Sequence, residues 1–379
     1  MTMKKLLCLL LCCTLLLSVS GCAQPEVQDG LGNGWEPVGS MELRFAHEFS
    51  VDYYAGGYKL ITLGDGTRYL TIPEGTEVPK RIARDVVPLR QPIENIYLAA
   101  TAAMCLFDSL DRLDAIRLSG TEEDGWHIEN AREAMGRGEI LYAGKYSEPD
   151  YERILDEGCS LAIESTMIGH ASEVKEKLEA LGIPVLIDQA SHETHPLGRS
   201  EWIKLYGALL NEEEKAEEMF AEQVRCLEEV ISEANTGKTV AFFHISSSGY
   251  VVARKSGDYV SKMIDLAGGK YVFDNLGDPE KVNSTVTIEM ETFYATAKDA
   301  DFIIYNSAIT GEIKTLEQLL NSNPLLKDFK AVQNGNVWCT AQNMYQETMQ
   351  LGRMIQEIHL ILTEADSDKS QLNYLYKLK

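Results

Sequence analysis

One uninterrupted stretch constrains this chain more than any other, Asn211–Ala234, "NEEEKAEEMFAEQVRCLEEVISEA". It holds neither Gly nor Pro, and its acidic first turn suits the dipole of a helix N-terminus. It predicts a single helix, capped by Asn211, roughly 35 Å long at about 1.5 Å per residue. On both sides of it, short apolar runs alternate with helical patterns. Before it, strands are expected over 93–99, 113–118, 161–164 and 184–187, with helices over 101–110, 150–156, 172–181 and 200–210. After it, strands are expected over 239–244, 250–253, 302–305 and 335–339, with helices over 256–266, 287–297, 316–321 and 346–362. Such alternation argues for mostly parallel sheets covered by helices. The fold class is therefore α/β, with two lobes joined by a single long α-helix.

A different pattern precedes the first lobe. Residues 41–80 alternate apolar and polar, with hairpin-type turns at Gly56-Gly57 and Asp65-Gly66. They predict a small antiparallel β lead-in. The very start differs again. Lys4 and Lys5 precede an apolar run from Leu6 to Leu17, a secretory leader too short for a membrane span of about 20 residues. It ends in Leu-Ser-Val-Ser-Gly-Cys22, a lipobox in which Cys22 is the expected diacylated residue. Two acyl chains give stable anchoring where one does not. The divisions expected are a signal peptide over 1–21, a flexible tether over 22–40, the β segment over 41–88 and a first lobe over 89–199. Connecting helices over 200–236, a second lobe over 237–366 and a tail over 367–379 complete the chain.

Charge and cysteine usage narrow the partners. The chain carries 35 basic and 58 acidic residues, and loss of the leader removes two of the lysines. That excess of acid excludes the phosphate neutralisation on which nucleic-acid binding rests, and leaves no polybasic patch for anionic lipid. Of the cysteines beyond the leader and Cys22, Cys105, Cys159, Cys226 and Cys339 share no C-x-x-C spacing, so buried free thiols are expected. "HISSSGY" is not a Gly-x-Ser-x-Gly elbow, and no phosphate-loop motif occurs. The chain is therefore not expected to be an enzyme or to hold a cofactor. His192-Glu193-Thr194-His195 falls short of HExxH, whose second His would stand at Pro196.

Several local patterns resemble the Fe/B12 periplasmic-binding family, solute-binding proteins of importers for ferric siderophores, haem and cobalamin. "EPDYERILDEGCSLAIES" is similar to that family's E-x-I-x-x-x-x-P-D-L-V-I segment, and "LEALGIPVLID" to its L-x-x-x-G-I-P-V strand entry. "VSKMIDLAGGKYVFDN" resembles I-x-x-x-G-G-x-N-V-F, and "TIEMETFYATAKDADFIIYN" the second-lobe segment ending in D-A-D-x-I-I. The resemblance covers residues 90–365 and leaves 41–80 outside it. It implies two Rossmann-like lobes, a cleft between them, and a lipid-anchored receptor on the outer face of the cytoplasmic membrane. The implied partners are an ABC permease with its ATPase and a ferric chelate, haem or corrinoid, with the protein acting as a monomer. A divalent-metal receptor, or a surface enzyme or adhesion domain, are the alternatives. One surface carboxylate per lobe is implied to dock on the permease: Glu152 in the first, and Glu291 or the nearby Glu289 in the second.

Ligands of open α/β sheets sit beyond the carboxyl ends of the strands. In the first lobe those positions hold Thr101, Trp126, His127, Lys145, Tyr146, Met167, His170, Gln189 and His192. In the second they hold His244, Ser247, Tyr250, Arg254, Tyr305, Asn306, Gln342, Met344 and Tyr345. The aromatics and Met offer flat, polarizable surface, while Arg254 and Lys145 could neutralise an anionic chelate. His170, close to Met167, could serve as an axial haem ligand.

Overall fold

The computed structural model describes residues 31, 34–80, 82–233, 235–278, 284–363 and 372–379. Cys22, the leader and most of the expected tether lie outside them. Three larger sheets and one two-stranded hairpin organise the described chain.

The lead-in is larger than its sequence suggests. Strands β1 (Pro37–Ser40), β2 (Phe49–Tyr54), β3 (Lys59–Leu63), β4 (Arg68–Ile72) and β5 (Val86–Arg90) pair in that order. The first four are antiparallel, and β5 lies parallel to β4. Positive φ at Gly57 and Gly66 makes the two turns possible without a Cβ clash. β1 corrects the expected tether: its four residues are all exposed, so no apolar alternation marks it, and only pairing with β2 makes it a strand. Both faces of the sheet are covered. Val51, Ile61, Leu63 and Tyr69 join the main core, while Tyr54, Leu60, Leu70 and Ile72 build a smaller one with Leu31 and Trp35.

The first lobe carries β6 (Ile96–Leu98), β7 (Ile116–Ser119), β8 (Leu141–Tyr142), β11 (Ala162–Ser165) and β12 (Val185–Asp188), all parallel, in the order β12-β11-β6-β7-β8. A hairpin of β9 (Gly144–Lys145) and β10 (Glu148–Pro149) sits at its edge. The second lobe is mixed. β13 (Lys238–Ile245) lies parallel to β15 (Gly269–Tyr271) and β17 (Phe302–Tyr305), and β17 to β18 (Val337–Thr340). β14 (Val251–Arg254) and β16 (Thr285–Ile288) extend it antiparallel. The helix expected over 287–297 is thus shorter. Its first residues belong to the β-branched run Thr-Val-Thr-Ile of β16, and the helix proper is Met290–Ala297. A helix at Glu129–Gly136 is an addition to the expected set.

Between the lobes run helices Pro196–Glu201, Ile203–Leu210 and the linking helix Glu213–Ile231. Asn211 does not cap the linking helix. With φ at 60° it ends the preceding one, a left-handed position that Asn tolerates, and Glu212 precedes the linker. The closing helix Leu351–Thr363 packs along the linker so tightly that a Cβ at Gly352 would strike the Gln223 carbonyl. The expected C-terminal tail is also corrected. β19 (Leu375–Lys377) pairs antiparallel with β18, held by the Glu357 carboxylate, which accepts from the backbone of Asn373, Tyr374 and Leu375. Cys105, Cys226 and Cys339 are buried free thiols, and Cys159 is a half-buried one.

Candidate functional site

Two cavities open beyond the carboxyl ends of the first-lobe strands. The first, of about 330 Å³, lies between the lobes. Its first-lobe wall comes from Ala102, which follows β6, and from Ser191 and Arg199, which follow β12. Its second-lobe wall comes from Arg254 at the end of β14, Asp258, Tyr259, Met344 and Tyr345. Arg254 donates to Asp258 Oδ2 at 3.3 Å and to the Tyr345 hydroxyl, and its guanidinium lies over the Tyr345 ring. Burial alone would lower Arg254, but Tyr345 and Asp258 outweigh it and hold the guanidinium above its ordinary range. Arg199 lies 3.9 Å over the Tyr259 ring and donates to the Ser191 carbonyl at 2.8 Å. Its Nε is buried with no hydrogen-bond partner among the described residues. Two guanidiniums against one carboxylate leave this lining net positive. In a low-dielectric cleft that favours an anion.

The lobes touch beside this cavity at few polar points. The Gln346 carboxamide accepts from His127 N at 2.7 Å and donates to the Gly125 carbonyl at 2.8 Å, and the Ser200 hydroxyl donates to the Thr348 carbonyl at 2.7 Å.

The second cavity, of about 450 Å³, lies between the first lobe and the added sheet, with Glu48, Gly64 and Asp65 on one side and Thr166, Gln189 and His192 on the other.

The sequence-derived candidates divide among these places. Arg254, Met344 and Tyr345 line the interlobe cavity, and Gln189 and His192 the second one. Others are corrected. Trp126 is a core residue, buried with its Nε1 donating to Ser119 Oγ at 3.2 Å. Tyr305 is buried edge-on to Phe243. Asn306 is fully buried, with both amide atoms lacking a partner among the described residues. Strand-end position could not separate these from cleft residues, because the side chain turns inward when its neighbours leave room. Lys145 is exposed and paired with Glu148 at 3.0 Å, and Tyr146 stands at the turn of the same hairpin, against the lobe's smaller core. Met167 and His170 are exposed on a one-turn helix, and Tyr250 is exposed at the β13–β14 turn. Thr101 and His244 are half-buried and line neither cavity, and burial pushes His244 below its ordinary pKa. Glu152, Glu289 and Glu291 are exposed at or just before the starts of helices Tyr151–Asp156 and Met290–Ala297.

Sequence reasoning missed Arg199, Asp258 and Tyr259. Arg199 lies in a helix assigned to the connection, and Asp258 reads as an ordinary N-cap, which it also is. The His192–His195 motif is spent structurally. Glu193 accepts from His47 N, Glu48 N and Trp202 Nε1, and His195 Nδ1 accepts from Leu197 N. Among the described residues no cluster of three or more His, Cys, Asp or Glu is assembled.

Residues 116–343, more than half of the chain, match the model of the periplasmic binding protein family. This chain belongs to that family. Its members are the solute-binding components of ABC importers, not enzymes. Two uncharacterized lipoproteins of Methanocaldococcus jannaschii are similar to it, at 23% identity over 91% of this chain and 89% of the relative, and at 26% over 90% and 88%. The uncovered tenth is shorter than β1–β5, so these similarities reach into the added sheet. Among solved structures, the petrobactin-binding protein of Bacillus subtilis superposes with a TM-score of 0.60 at 14% identity, covering 81% of this chain and 99% of its own. The periplasmic haem-binding protein of Vibrio cholerae gives 0.57 at 16%, covering 69% and 97%. These likenesses show a shared fold.

Proposed function

We propose that this family member is anchored by lipid on Cys22 at the outer face of the cytoplasmic membrane, captures a ferric chelate between its lobes and delivers it to an ABC permease. The observation that carries the ligand class is the pair Arg199 and Arg254, one from each wall, facing a single carboxylate. At about 330 Å³ the cavity is near the lower end of small-molecule sites. That favours an anionic chelate over the much larger corrinoid. Titration with ferric siderophores, haemin and cyanocobalamin, followed by absorbance and protein fluorescence, tests the reading. Arg254→Gln should weaken an anionic chelate at least about tenfold, since a charge-assisted hydrogen bond contributes roughly 1.5–3 kcal/mol. Equal binding by wild type and variant would overturn it.

Glu152 and Glu291 support the docking half of the reading. Both are exposed in the first turns of corresponding helices, one per lobe, with no ion pair among the described residues. Reversing both charges should leave ligand affinity unchanged while slowing uptake into vesicles carrying the permease and ATPase, because like charges across an interface are strongly disfavoured. Normal uptake would return both residues to the solvated surface. Cys22→Ala should release the protein from membranes, and retention of the variant would remove the anchor.

A further inference from the structure

The second cavity lies beyond the ends of β11 and β12, the same end of the first-lobe sheet that feeds the interlobe cavity. The segment Gln189–His192 separates the two. Gln189 and His192 line the second cavity and Ser191 the first, and the Ser191 and Thr166 hydroxyls meet at 3.2 Å across the partition. The outer wall is supplied by the added sheet, through Glu48 before β2 and the β3–β4 turn at Gly64-Asp65. The Glu48 carboxylate lies against Gly64, so close that a Cβ there would push it aside.

The chemistry of this cavity is opposite to that of the cleft. Glu48 and Asp65 offer carboxylate oxygens. Lys175, the ammonium in the lining, is paired with Glu179 at 2.6 Å. Gln189 is 3% exposed, yet its carboxamide has no hydrogen-bond partner among the described residues. That amide opens onto the cavity, where a hydrogen-bonding group that enters takes the place of water on it.

We propose that this cavity is a second subsite of the ligand site, taking an N–H-donating arm, a primary amine or a carboxamide, of a ligand whose acceptor oxygens rest on Arg199 and Arg254. The inference rests on the ligand reading above and adds to it. The ligand is polar along its length, with acceptor oxygens of Gln189, Glu48 and Asp65 facing its donor end. The added sheet thereby acquires a role in recognition that the two lobes alone do not supply.

The test is affinity measured by quenching of protein fluorescence for three probes. Ferrioxamine B carries a primary amine tail, cyanocobalamin carries carboxamides, and haemin has no such arm. The variants are Gln189→Leu, with folding checked by circular dichroism, and Asp65→Asn, at an exposed turn where the fold is not at risk. Each should weaken ferrioxamine B, for an amine arm, or cyanocobalamin, for a carboxamide arm, by about tenfold, and leave haemin within about twofold. An armed probe that binds wild type and both variants equally would overturn the subsite and leave the cleft reading standing. Binding of haemin alone would do the same. Failure of every probe to bind the wild type would overturn the cleft reading and the subsite together.

Discussion

The added sheet and the second lobe both dock on the first lobe and its connecting helices, and they do so in opposite ways. The sheet is tied by buried, saturated polar groups. Glu201, fully buried, accepts from the backbone of Arg44, Phe45 and Ala46 and lies 3.2 Å from Lys204. Glu193 closes the next two amides, His47 and Glu48. Lys59 bridges to the Ala208 carbonyl and to Glu213 on the linking helix, and the Tyr69 hydroxyl donates to the Val185 carbonyl at 2.7 Å. The second lobe meets the first across a cavity, with Gln346 and Ser200 as polar ties. A junction whose buried groups are all satisfied resists opening, because each broken bond exposes a group that has no other partner. A junction with a cavity and few ties is where a ligand can enter.

The largest effect should come from breaking the saturated junction. Glu201→Leu strands three backbone amides and leaves Lys204 with Glu217 as its carboxylate partner. Urea unfolding should show a loss of about 3 kcal/mol or more. A loss below about 1 kcal/mol would mean that the sheet is held by its apolar face.

Glu164 sharpens the contrast from the other side. It is as buried as Glu201, but both its oxygens lack a partner among the described residues, and burial lifts its pKa to about 8. A folded-state value above the unfolded one means that its contribution to stability is full below the unfolded pKa of about 4.5 and is lost as pH rises towards 8. Glu164→Leu should therefore change stability little at pH 4 and raise it by on the order of 3 kcal/mol at pH 8. Thermal melts at the two pH values check this. An equal shift at both would mean the carboxyl finds a partner in solution.

Smaller effects belong to the interlobe junction. Gln346→Ala should cost about 1 kcal/mol or less, the usual net contribution of such hydrogen bonds. It should raise hydrogen exchange around residues 125–128 without touching β1–β5. Small-angle scattering with and without ligand should show little compaction, since the linking helix is continuous and packed against the closing helix. A large change would place a hinge at the ends of that helix.

Much of the architecture was legible because it is written in local pattern. The alternation of apolar runs with helical periods located both lobes, and the strand 302–305 and the helix starting at Leu316 coincide with β17 and Leu316–Ser322. The linking helix was legible because a long run without Gly or Pro, with an apolar stripe, has few other ways to bury that stripe. β1 and β19 were not legible. Their residues carry no two-residue alternation long enough to read, and each becomes a strand only because a partner's edge offers hydrogen bonds.

The site divides along the same line. Met344, Tyr345, Gln189 and His192 were reachable as residues just past strand ends, since chain direction decides which end of a parallel sheet faces a ligand; Arg254 reaches the cleft from an antiparallel strand, to which that rule does not apply. Whether such a residue looks into the cleft or into the core was decided by tertiary packing. Trp126 and Tyr305 turned inward, where apolar area is buried at about 25 cal/mol per Å². Arg199 came to the cavity from a connecting helix because Tyr259, across the lobe boundary, offered its ring face. Local sequence sets element type and order, because those depend on residues a few positions apart. The net positive charge of the cleft depends on Arg199 from a connecting helix meeting the local Arg254–Asp258 pair of the second lobe, and the folded lobes bring them together.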